Sequence, residues 1–224
     1  MKIRLVRARH RDIGRLARLE AEAWPQALRA NKQTIRMRLM RGHRVLVAET
    51  EDRFVAAAGF YHTAADPTNE TAFPRDFQTF STMHASTPVR STYVYNLCVT
   101  PDQRGYGSAE HVIDAVIRDA RAAGARFLVG DGRCPSYAGA IGSGPDRVQH
   151  DPLFRQAIDD WLRTGVRPEL QLLIRDPVLR YYYRRLGCEF LHLAAGFLPE
   201  DGAAGGFRVI FLVRLGGVWA GEHP

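Results

Sequence analysis

The spacing of apolar residues along the chain changes several times, and each spacing predicts a different element. Residues 2–8 alternate apolar and charged side chains, as a half-buried strand does. Two amphipathic helices follow: Asp12 is expected to cap the first, and the second is expected over residues 31–40. Residues 44–50 and 54–63 alternate again on either side of a short acidic turn, which predicts a β-hairpin.

A strand–helix–strand unit is expected in the middle of the chain. Residues 92–100 have the pattern of a strand, apolar positions at helical spacing then continue to Gly124, and residues 125–130 form another short apolar run. A strand reached through a crossover helix pairs parallel with the first, and ligands bind at the carboxyl ends of such strands. The predicted fold class is therefore α/β or α+β.

The remaining pattern completes a single predicted domain over residues 1–224. Two stretches rich in turn-forming residues interrupt it and are interpreted as inserts, at about 65–91 and at about 133–165, the second with a helix of its own. The last helices and strands are expected at 151–164, 177–187, 189–193 and 207–215.

Composition narrows the class of protein. With 46% hydrophobic and 25% charged residues, the 224-residue chain is typical of a soluble globular protein. No apolar run has the length of a signal peptide or a membrane span, so a cytoplasmic protein without a membrane partner is expected. The net charge of +7 comes almost wholly from arginines spread along the chain, which argues against nucleic acid as a partner.

Cysteine usage points to reduced thiols. The three cysteines, Cys98, Cys134 and Cys188, are odd in number and far apart in sequence. That pattern predicts neither a disulfide framework nor a zinc site, so no metal is expected.

The segment that joins the strand at 92–100 to the next helix carries the strongest chemical signal. Gly105 and Gly107 let the backbone approach a ligand closely, and the first amides of a helix lack partners. With the donor fork of Arg104 they predict a phosphate-binding turn. No lysine follows the second glycine, which excludes a Walker loop, and Glu110 at the third glycine position excludes the dinucleotide fingerprint.

Two motifs resemble those of one superfamily. The pattern Arg104-x-x-Gly107-x-Ala109 after a strand resembles the pyrophosphate-binding motif of the GNAT superfamily, the acyl-CoA-dependent N-acyltransferases. Residues 182–190 resemble its aromatic-Tyr-x-x-x-Gly-aromatic signature, with Cys188 in place of the usual aromatic. The resemblance covers roughly residues 2–215. It implies a mixed, mostly antiparallel central sheet with a splayed parallel strand pair, flanked by helices.

The GNAT resemblance also implies a co-substrate. Acetyl-CoA is expected to lay its diphosphate on the glycine turn and to pair its pantetheine with the strand before it, as an additional strand. The implied cofactor-binding residues are Leu97, Cys98, Val99, Arg104, Gly105, Tyr106, Gly107, Ser108 and Ala109.

A finer similarity concerns two segments in the second half of the chain. Residues 133–137 and 176–179 are similar to an Arg-x-Pro-x-Tyr and an Asp-Pro-x-Leu segment of GNAT domains found fused to carbon-nitrogen hydrolases. This similarity supports the fold more than it identifies a substrate.

Acyl transfer to an amine requires a base, an oxyanion donor and an acid for the departing thiolate. The resemblance places Tyr183 on the family's general-acid tyrosine. No carboxylate lies between Tyr93 and Val99, where several family members keep their base. The base is therefore open: Asp131 acting directly or through water, His84, or a water positioned by Asn96.

The acceptor is expected to be the primary amine of a small molecule, attacked directly in a ternary complex. Trp24, Arg133 and Tyr137 are the candidate acceptor-binding residues. Two alternatives stay open: a catalytically inactive module that binds acyl-CoA, and a protein N-acetyltransferase. A homodimer is compatible with the resemblance.

Overall fold

The computed structural model describes residues 1–6, 9–51, 53–69, 73–138 and 148–216. Its strands are β1 (Lys2–Leu5), β2 (Arg44–Thr50), β3 (Arg53–Thr63), β4 (Ser91–Val99), β5 (Phe127–Gly132), β6 (Glu189–Ala194) and β7 (Arg208–Arg214). Its helices are α1 (His10–Ala23), α2 (Lys32–Met40), α3 (Phe77–Phe80), α4 (Ser108–Ala122), α5 (Pro152–Thr164), α6 (Leu170–Leu173) and α7 (Pro177–Leu186).

The strands form one sheet in the order β1-β2-β3-β4-β5-β7-β6. The neighbours from β1 to β4 pair antiparallel, as do β6 and β7. Strands β4 and β5 are the parallel pair. The mixed, mostly antiparallel sheet with one parallel pair that the sequence predicts is confirmed.

The described chain divides into two compact units. The first comprises residues 1–74, 78–129 and 214–216. Helices α1 and α4 both pack on its strands, which removes their apolar stripes from water. The core cluster that includes α1 and α2 consists of Val6, Ile13, Leu16, Leu19, Ile35, Val45, Val47, Phe54, Ala57 and Cys98.

A β-bulge interrupts the pairing of β3 with β4. The register shifts between Gly59 and Phe60, which leaves Tyr95 as the extra residue on β4. An extra residue breaks the alternation of side chains along a strand. As a result, Tyr95 and Asn96 both face the helices α1 and α2: Arg38 of α2 lies 4.7 Å from the centre of the Tyr95 ring, and Asn96 bonds to α1.

The second unit comprises residues 75–77 and 130–213. Its two longest helices begin and end at the same types of residue. The carboxylates of Asp151 and Asp176 accept the first free N–H groups of α5 and α7, and each helix then opens with proline. Both helices end at a left-handed glycine, Gly165 or Gly187. The predicted helix that starts after Asp176 and stops at Gly187 is confirmed.

Two local predictions were wrong. Asp12 does not cap α1: it lies in the first turn of that helix, and its carboxylate instead pairs with Arg4 at 2.7 Å. Strand β5 runs on to Gly132, so Asp131 lies within the strand instead of after it. Helices α3 and α6 are elements that the sequence did not predict, because four residues are too few to show a helical period.

Part of the predicted organisation falls outside the described residues. This applies to the last two residues of the predicted first strand, residue 52 of the acidic turn, residues 70–72 and 139–147 of the two inserts, and residues 217–224 at the end of the predicted domain. Among the residues that the structure does describe, no helix is long and apolar enough to span a membrane.

Candidate active site

The turn between β4 and α4 has the geometry of an anion cradle. Gly105 and Gly107 both adopt left-handed backbone conformations, each with φ of 79°. Gly107 is the residue immediately before α4, and glycine carries no side chain that could cap the helix. A β-carbon at position 105 would meet nothing within 4 Å. The first-turn amides of α4 are therefore available to the oxygens of a ligand.

The residues around this turn differ in exposure. Arg104 and Tyr106 are exposed, and the Arg104 Nη2 lies 3.5 Å from the backbone oxygen of Ala23 at the end of α1. Cys98 is buried on β4, and burial raises the pKa of its thiol well above the usual value. A thiol that stays protonated is a poor nucleophile. This argues against acyl transfer through Cys98.

The structure brings together two of the predicted site residues, Trp24 and Asn96. The indole Nε1 of Trp24 donates to Asn96 Oδ1 at 3.2 Å. The amide Nδ2 of Asn96 donates in turn to Glu20 Oε1 at 2.5 Å. Asn96 is half-buried next to the bulge, so part of the residue is accessible.

Glu20, the partner of the predicted site residue Asn96, was not singled out by the sequence analysis. Its side chain is buried, with the residue only 4% exposed, and burial raises the pKa of its carboxyl group. The available signal was positional: Glu20 lies seven residues after Ile13 and four after Leu16, on the apolar face of α1. A carboxylate in such a position requires hydrogen-bond partners inside the protein.

In the second unit, Asp131 belongs to a buried network of charges. Arg208 Nε lies 3.3 Å from Asp131 Oδ2, and Arg208 Nη2 donates to Asp201 at 2.7 Å. Arg133 donates to both Asp201 oxygens, at 2.6 and 2.7 Å. Asp131 has an 11% exposed side chain, and burial raises its pKa to about 6, against the opposing charge of Arg208. Such a carboxyl group exchanges a proton near neutral pH.

Asp201 titrates in the opposite direction from Asp131. Burial by itself would raise its pKa, but the hydrogen bonds and charges of Arg133 and Arg208 hold that pKa below the usual value. Two neighbouring carboxyl groups with separated proton affinities are a common feature of acid–base sites.

The two candidate acceptor-binding residues of the second insert have partners within their own unit. Arg133 is bound to Asp201, as described above. The hydroxyl of Tyr137 donates to Asp159 Oδ1 at 2.6 Å, and its ring packs edge-on against Phe207 with ring centres 4.9 Å apart. These contacts orient both side chains. Their role in acceptor binding stays a prediction.

The consecutive tyrosines of α7 have different surroundings. Tyr182 stacks on Phe211 with ring centres 4.4 Å apart, and burial raises the pKa of its hydroxyl. Tyr183 is half-buried on the next position of the helix. Tyr182 therefore has the packing role, which is compatible with a chemical role for Tyr183.

A cluster of aromatic side chains lies beside the bulge in the first unit. His43 stacks on Tyr61 at 4.7 Å, and Tyr61 contacts Tyr93 at 5.6 Å between ring centres. His43 Nδ1 and the hydroxyl oxygens of Tyr61 and Tyr93 are inaccessible, and none has a hydrogen-bond partner within the described residues. His84, the alternative base, is exposed.

The hydrogen bond of His43 identifies the ring nitrogen that carries the proton. Its Nε2 lies 2.6 Å from the backbone oxygen of Met83, which can only accept, so Nε2 carries the proton. Burial lowers the pKa of His43 to about 4, so the ring is neutral and Nδ1 is an acceptor. The cluster thus presents two hydroxyl groups and one acceptor nitrogen that have no partners among the described residues.

Comparison with known proteins assigns the chain to a family. The sequence matches the profile of the acetyltransferase (GNAT) family over residues 12–137, more than half of the chain. The chain belongs to the GNAT family. The family has the fold of acyl-CoA-dependent acetyltransferases, and the match confirms the resemblance seen in the motifs. A search of curated proteins gave no significant match.

Solved GNAT structures share the fold over nearly the whole chain. The GphF GNAT-like decarboxylase in complex with isobutyryl-CoA has a TM-score of 0.70 and 24% identity, covering 96% of this chain and 100% of that chain. The loading GNATL domain of CurA from Lyngbya majuscula has a TM-score of 0.70 and 17% identity, covering 96% and 98%. The aminoglycoside 6'-N-acetyltransferase from Enterococcus faecium has a TM-score of 0.59 and 11% identity, covering 97% and 99%.

Proposed function

We propose that this GNAT protein transfers an acetyl or short acyl group from acetyl-CoA to a primary amine of a small molecule. The observation that carries the proposal is the turn before α4. Two left-handed glycines, Gly105 and Gly107, precede the uncapped start of a 15-residue helix, with Arg104 beside them. Amides, helix dipole and guanidinium are all suited to a diphosphate. Solved relatives that contain coenzyme A or isobutyryl-CoA support the choice of carrier.

The remaining cofactor contacts are assigned on the family resemblance. The pantetheine would pair with the backbone of Leu97, Cys98 and Val99, just beyond the bulge, and an amide of this segment would donate to the thioester oxygen. Around the diphosphate, Tyr106 would cover the exposed side, and Ser108 and Ala109 would supply first-turn amides.

The proposed reaction proceeds by direct attack. The amine nitrogen forms a bond to the thioester carbon, the carbon–sulfur bond breaks, and the departing thiolate takes a proton from the Tyr183 hydroxyl. The attacking nitrogen loses a proton to the Asp131 carboxylate, directly or through water. The pKa of Asp131, raised by burial to about 6, supports this assignment because the carboxylate is ionised yet basic at neutral pH.

Trp24, Arg133 and Tyr137 are proposed to bind the acceptor, and Asn96 is proposed to act in catalysis. The long inserts favour a small molecule over a protein tail. A protein N-acetyltransferase and an inactive acyl-CoA-binding module are the alternatives.

Thiol release separates these alternatives. We expect free coenzyme A to appear, detected with a thiol reagent, when acetyl-CoA is incubated with a panel of small primary amines. An inactive module would be stabilised thermally by acetyl-CoA without releasing thiol. A protein acetyltransferase would release thiol with peptide amines and not with small ones.

One observation favours a second candidate, the decarboxylation of a carboxylated acyl-CoA. The hydroxyls of Tyr61 and Tyr93, unpartnered within the described residues, lie in a buried cluster in which Tyr61 stacks on the His43 ring. Such hydroxyl groups can donate to a carboxylate or to the enolate left when carbon dioxide departs, provided that the cluster opens to the substrate. A solved relative with a TM-score of 0.70 is a GNAT-like decarboxylase.

This second candidate makes a separate prediction. Malonyl-CoA and methylmalonyl-CoA, without any amine, would be converted to acetyl-CoA and propionyl-CoA with uptake of one proton and release of carbon dioxide. Mass spectrometry of the thioesters measures this conversion. If both substrates remain intact while acetyl-CoA is consumed with an amine, the transferase proposal alone holds.

A further inference from the structure

Glu20 connects three parts of the first unit. Its Oε2 accepts the backbone N–H of Ala30 at 3.1 Å, in the connection between α1 and α2. Its Oε1 accepts Asn96 Nδ2 at 2.5 Å, at the bulge of β4. Both hydrogen-bond donors are neutral amides, and the charge that acts on the carboxylate is that of Arg38. Each carboxylate oxygen therefore depends on one neutral donor.

The two partners of Asn96 determine the orientation of its amide. A carboxylate accepts and cannot donate, so the group that faces Glu20 must be Nδ2. The indole N–H of Trp24 donates and cannot accept, so the group that faces it must be Oδ1. Rotating the amide by 180° would oppose acceptor to acceptor on one side and donor to donor on the other.

The hydrogen bonds of Asn96 also show which of its donors and acceptors can still bind a substrate. One hydrogen of Nδ2 is held by Glu20, and the other points to Cys98 Sγ at 3.8 Å, a weak contact. Oδ1 uses one of its two acceptor positions for Trp24. The remaining capacity is a single acceptor position, on a half-buried side chain. It matches an N–H donor and does not match a thioester carbonyl.

We infer that Glu20 is a positioning residue that holds the Asn96 amide with its oxygen toward an N–H of the acceptor amine. The inference rests on the proposed transferase function. Glu20 itself is buried and does not touch the substrate. It acts by excluding the reversed amide, which would present a hydrogen to the amine.

Exchanging the carboxylate of Glu20 and the amide of Asn96 tests the inference. In Glu20→Gln, a single oxygen remains for two donors, so the new NH₂ group opposes either Ala30 N–H or Asn96 Nδ2. In Asn96→Asp, two carboxylates lie in contact and repel each other.

The double variant, Glu20→Gln with Asn96→Asp, exchanges the two functional groups. The introduced glutamine accepts from the Ala30 N–H and donates to the introduced aspartate. That aspartate still accepts from the Trp24 indole and from the amine. The double variant therefore restores the hydrogen bonds to the Ala30 N–H, to the Trp24 indole and between residues 20 and 96, with the same net charge, and loses only the weak contact with Cys98 Sγ.

We expect each single substitution to lower kcat/KM for the amine by at least about tenfold, because a buried polar group loses its partner. The double variant is expected within about threefold of the unsubstituted protein, because the two changes compensate each other. KM for acetyl-CoA stays constant throughout. The activity of Asn96→Asp, taken as a ratio to that of the unsubstituted protein at the same pH, should rise as pH falls, since a proton shared by the two carboxylates replaces the lost amide hydrogen. Glu22→Gln, on an exposed position of the same helix, is the matched control.

The result that overturns the inference is a double variant no more active than the single variants while it unfolds at the same urea concentration as the unsubstituted protein. Unaltered kcat/KM in both single variants would overturn it as well. If Glu20→Gln does not fold, Asn96→Asp carries the test, and an activity ratio to the unsubstituted protein that does not rise as pH falls overturns the inference.

Failure of the proposed function would be visible first, as an absence of thiol release by the unsubstituted protein with any amine. The urea midpoints of the four proteins still report on the orientation of the amide in that case. A double variant no more stable than the single variants would then refute the positioning role.

Discussion

The ring of Tyr95 occupies the space that a side chain at Gly59 would need. A β-carbon at position 59 would lie 2.6 Å from Tyr95 Cε2 and 2.8 Å from its hydroxyl oxygen. Gly59 is the residue opposite Asn96 in the strand pairing, and Tyr95 is the residue that forms the bulge. Because Gly59 has no side chain, the ring of Tyr95 can lie over β3 at this position.

Gly59→Ala should therefore disturb the bulge. We expect the substitution to lower the free energy of unfolding by about 1–3 kcal/mol, because the Tyr95 ring must leave its position. Urea denaturation measures this loss. Gly14→Ala is the matched control: its β-carbon meets nothing within 4 Å on α1, and it should raise stability by about 0.5–1 kcal/mol. Equal effects of the two substitutions would contradict the role of the contact.

Arg104→Ala should weaken the binding of acetyl-CoA. Losing a charged donor to the diphosphate is expected to raise Kd by about 10- to 100-fold, with thermal stability unchanged because the side chain is exposed. Titration calorimetry gives the Kd. Arg121→Ala, exposed in the last turn of the same helix, is the control and should have no effect. A twofold change or less for Arg104→Ala would place the diphosphate elsewhere.

Tyr183→Phe should lower turnover without weakening the binding of the cofactor. If the hydroxyl protonates the departing thiolate, its loss is expected to reduce kcat by about 100-fold or more. Steady-state thiol release measures kcat and KM separately. Tyr182→Phe retains the ring that stacks on Phe211 and is expected to keep normal turnover. If both variants turn over alike, Tyr183 is not the acid.

The raised pKa of Asp131 predicts an acidic limb in the pH profile of kcat/KM, which is a fall in activity at low pH. As pH falls through about 6 the carboxylate gains a proton and can no longer accept one from the amine, so kcat/KM should fall. Asp131→Asn should remove this limb and reduce activity by about 100-fold or more. Asp160→Asn, on an exposed position of α5, is the control. An unaltered limb in Asp131→Asn would exclude Asp131 as the base.

The pKa of Asp131 also predicts how the free energy of unfolding depends on pH, and this can be measured without a substrate. Its folded-state pKa lies above the ordinary value of 3.8, so the folded state binds the proton more tightly than the unfolded chain does. Its contribution to stability is full below about pH 4 and is lost as pH rises to about 6. The difference in unfolding free energy between the unsubstituted protein and Asp131→Asn should change across this interval and be constant above it.

The sequence by itself determined the order of most elements and the location of the glycine turn before α4. Local signals carry that information: the Asp-Pro starts and glycine ends of α5 and α7, the alternation in β2 and β3, and the glycines ahead of α4 all act within a few residues. Family membership followed from the same short motifs, because an anion-binding turn is built from contiguous residues.

Only the tertiary structure decided the surroundings of the chemical groups. Glu20 and Asn96 are 76 positions apart, and Arg133 and Asp201 are 68 apart. No local pattern links such residues. The bulge at Tyr95 depends on the register between two strands, and the proton affinity of Asp131 depends on burial and on Arg208. Hydrogen bonding and desolvation act through space, so these features become defined only when the chain has folded.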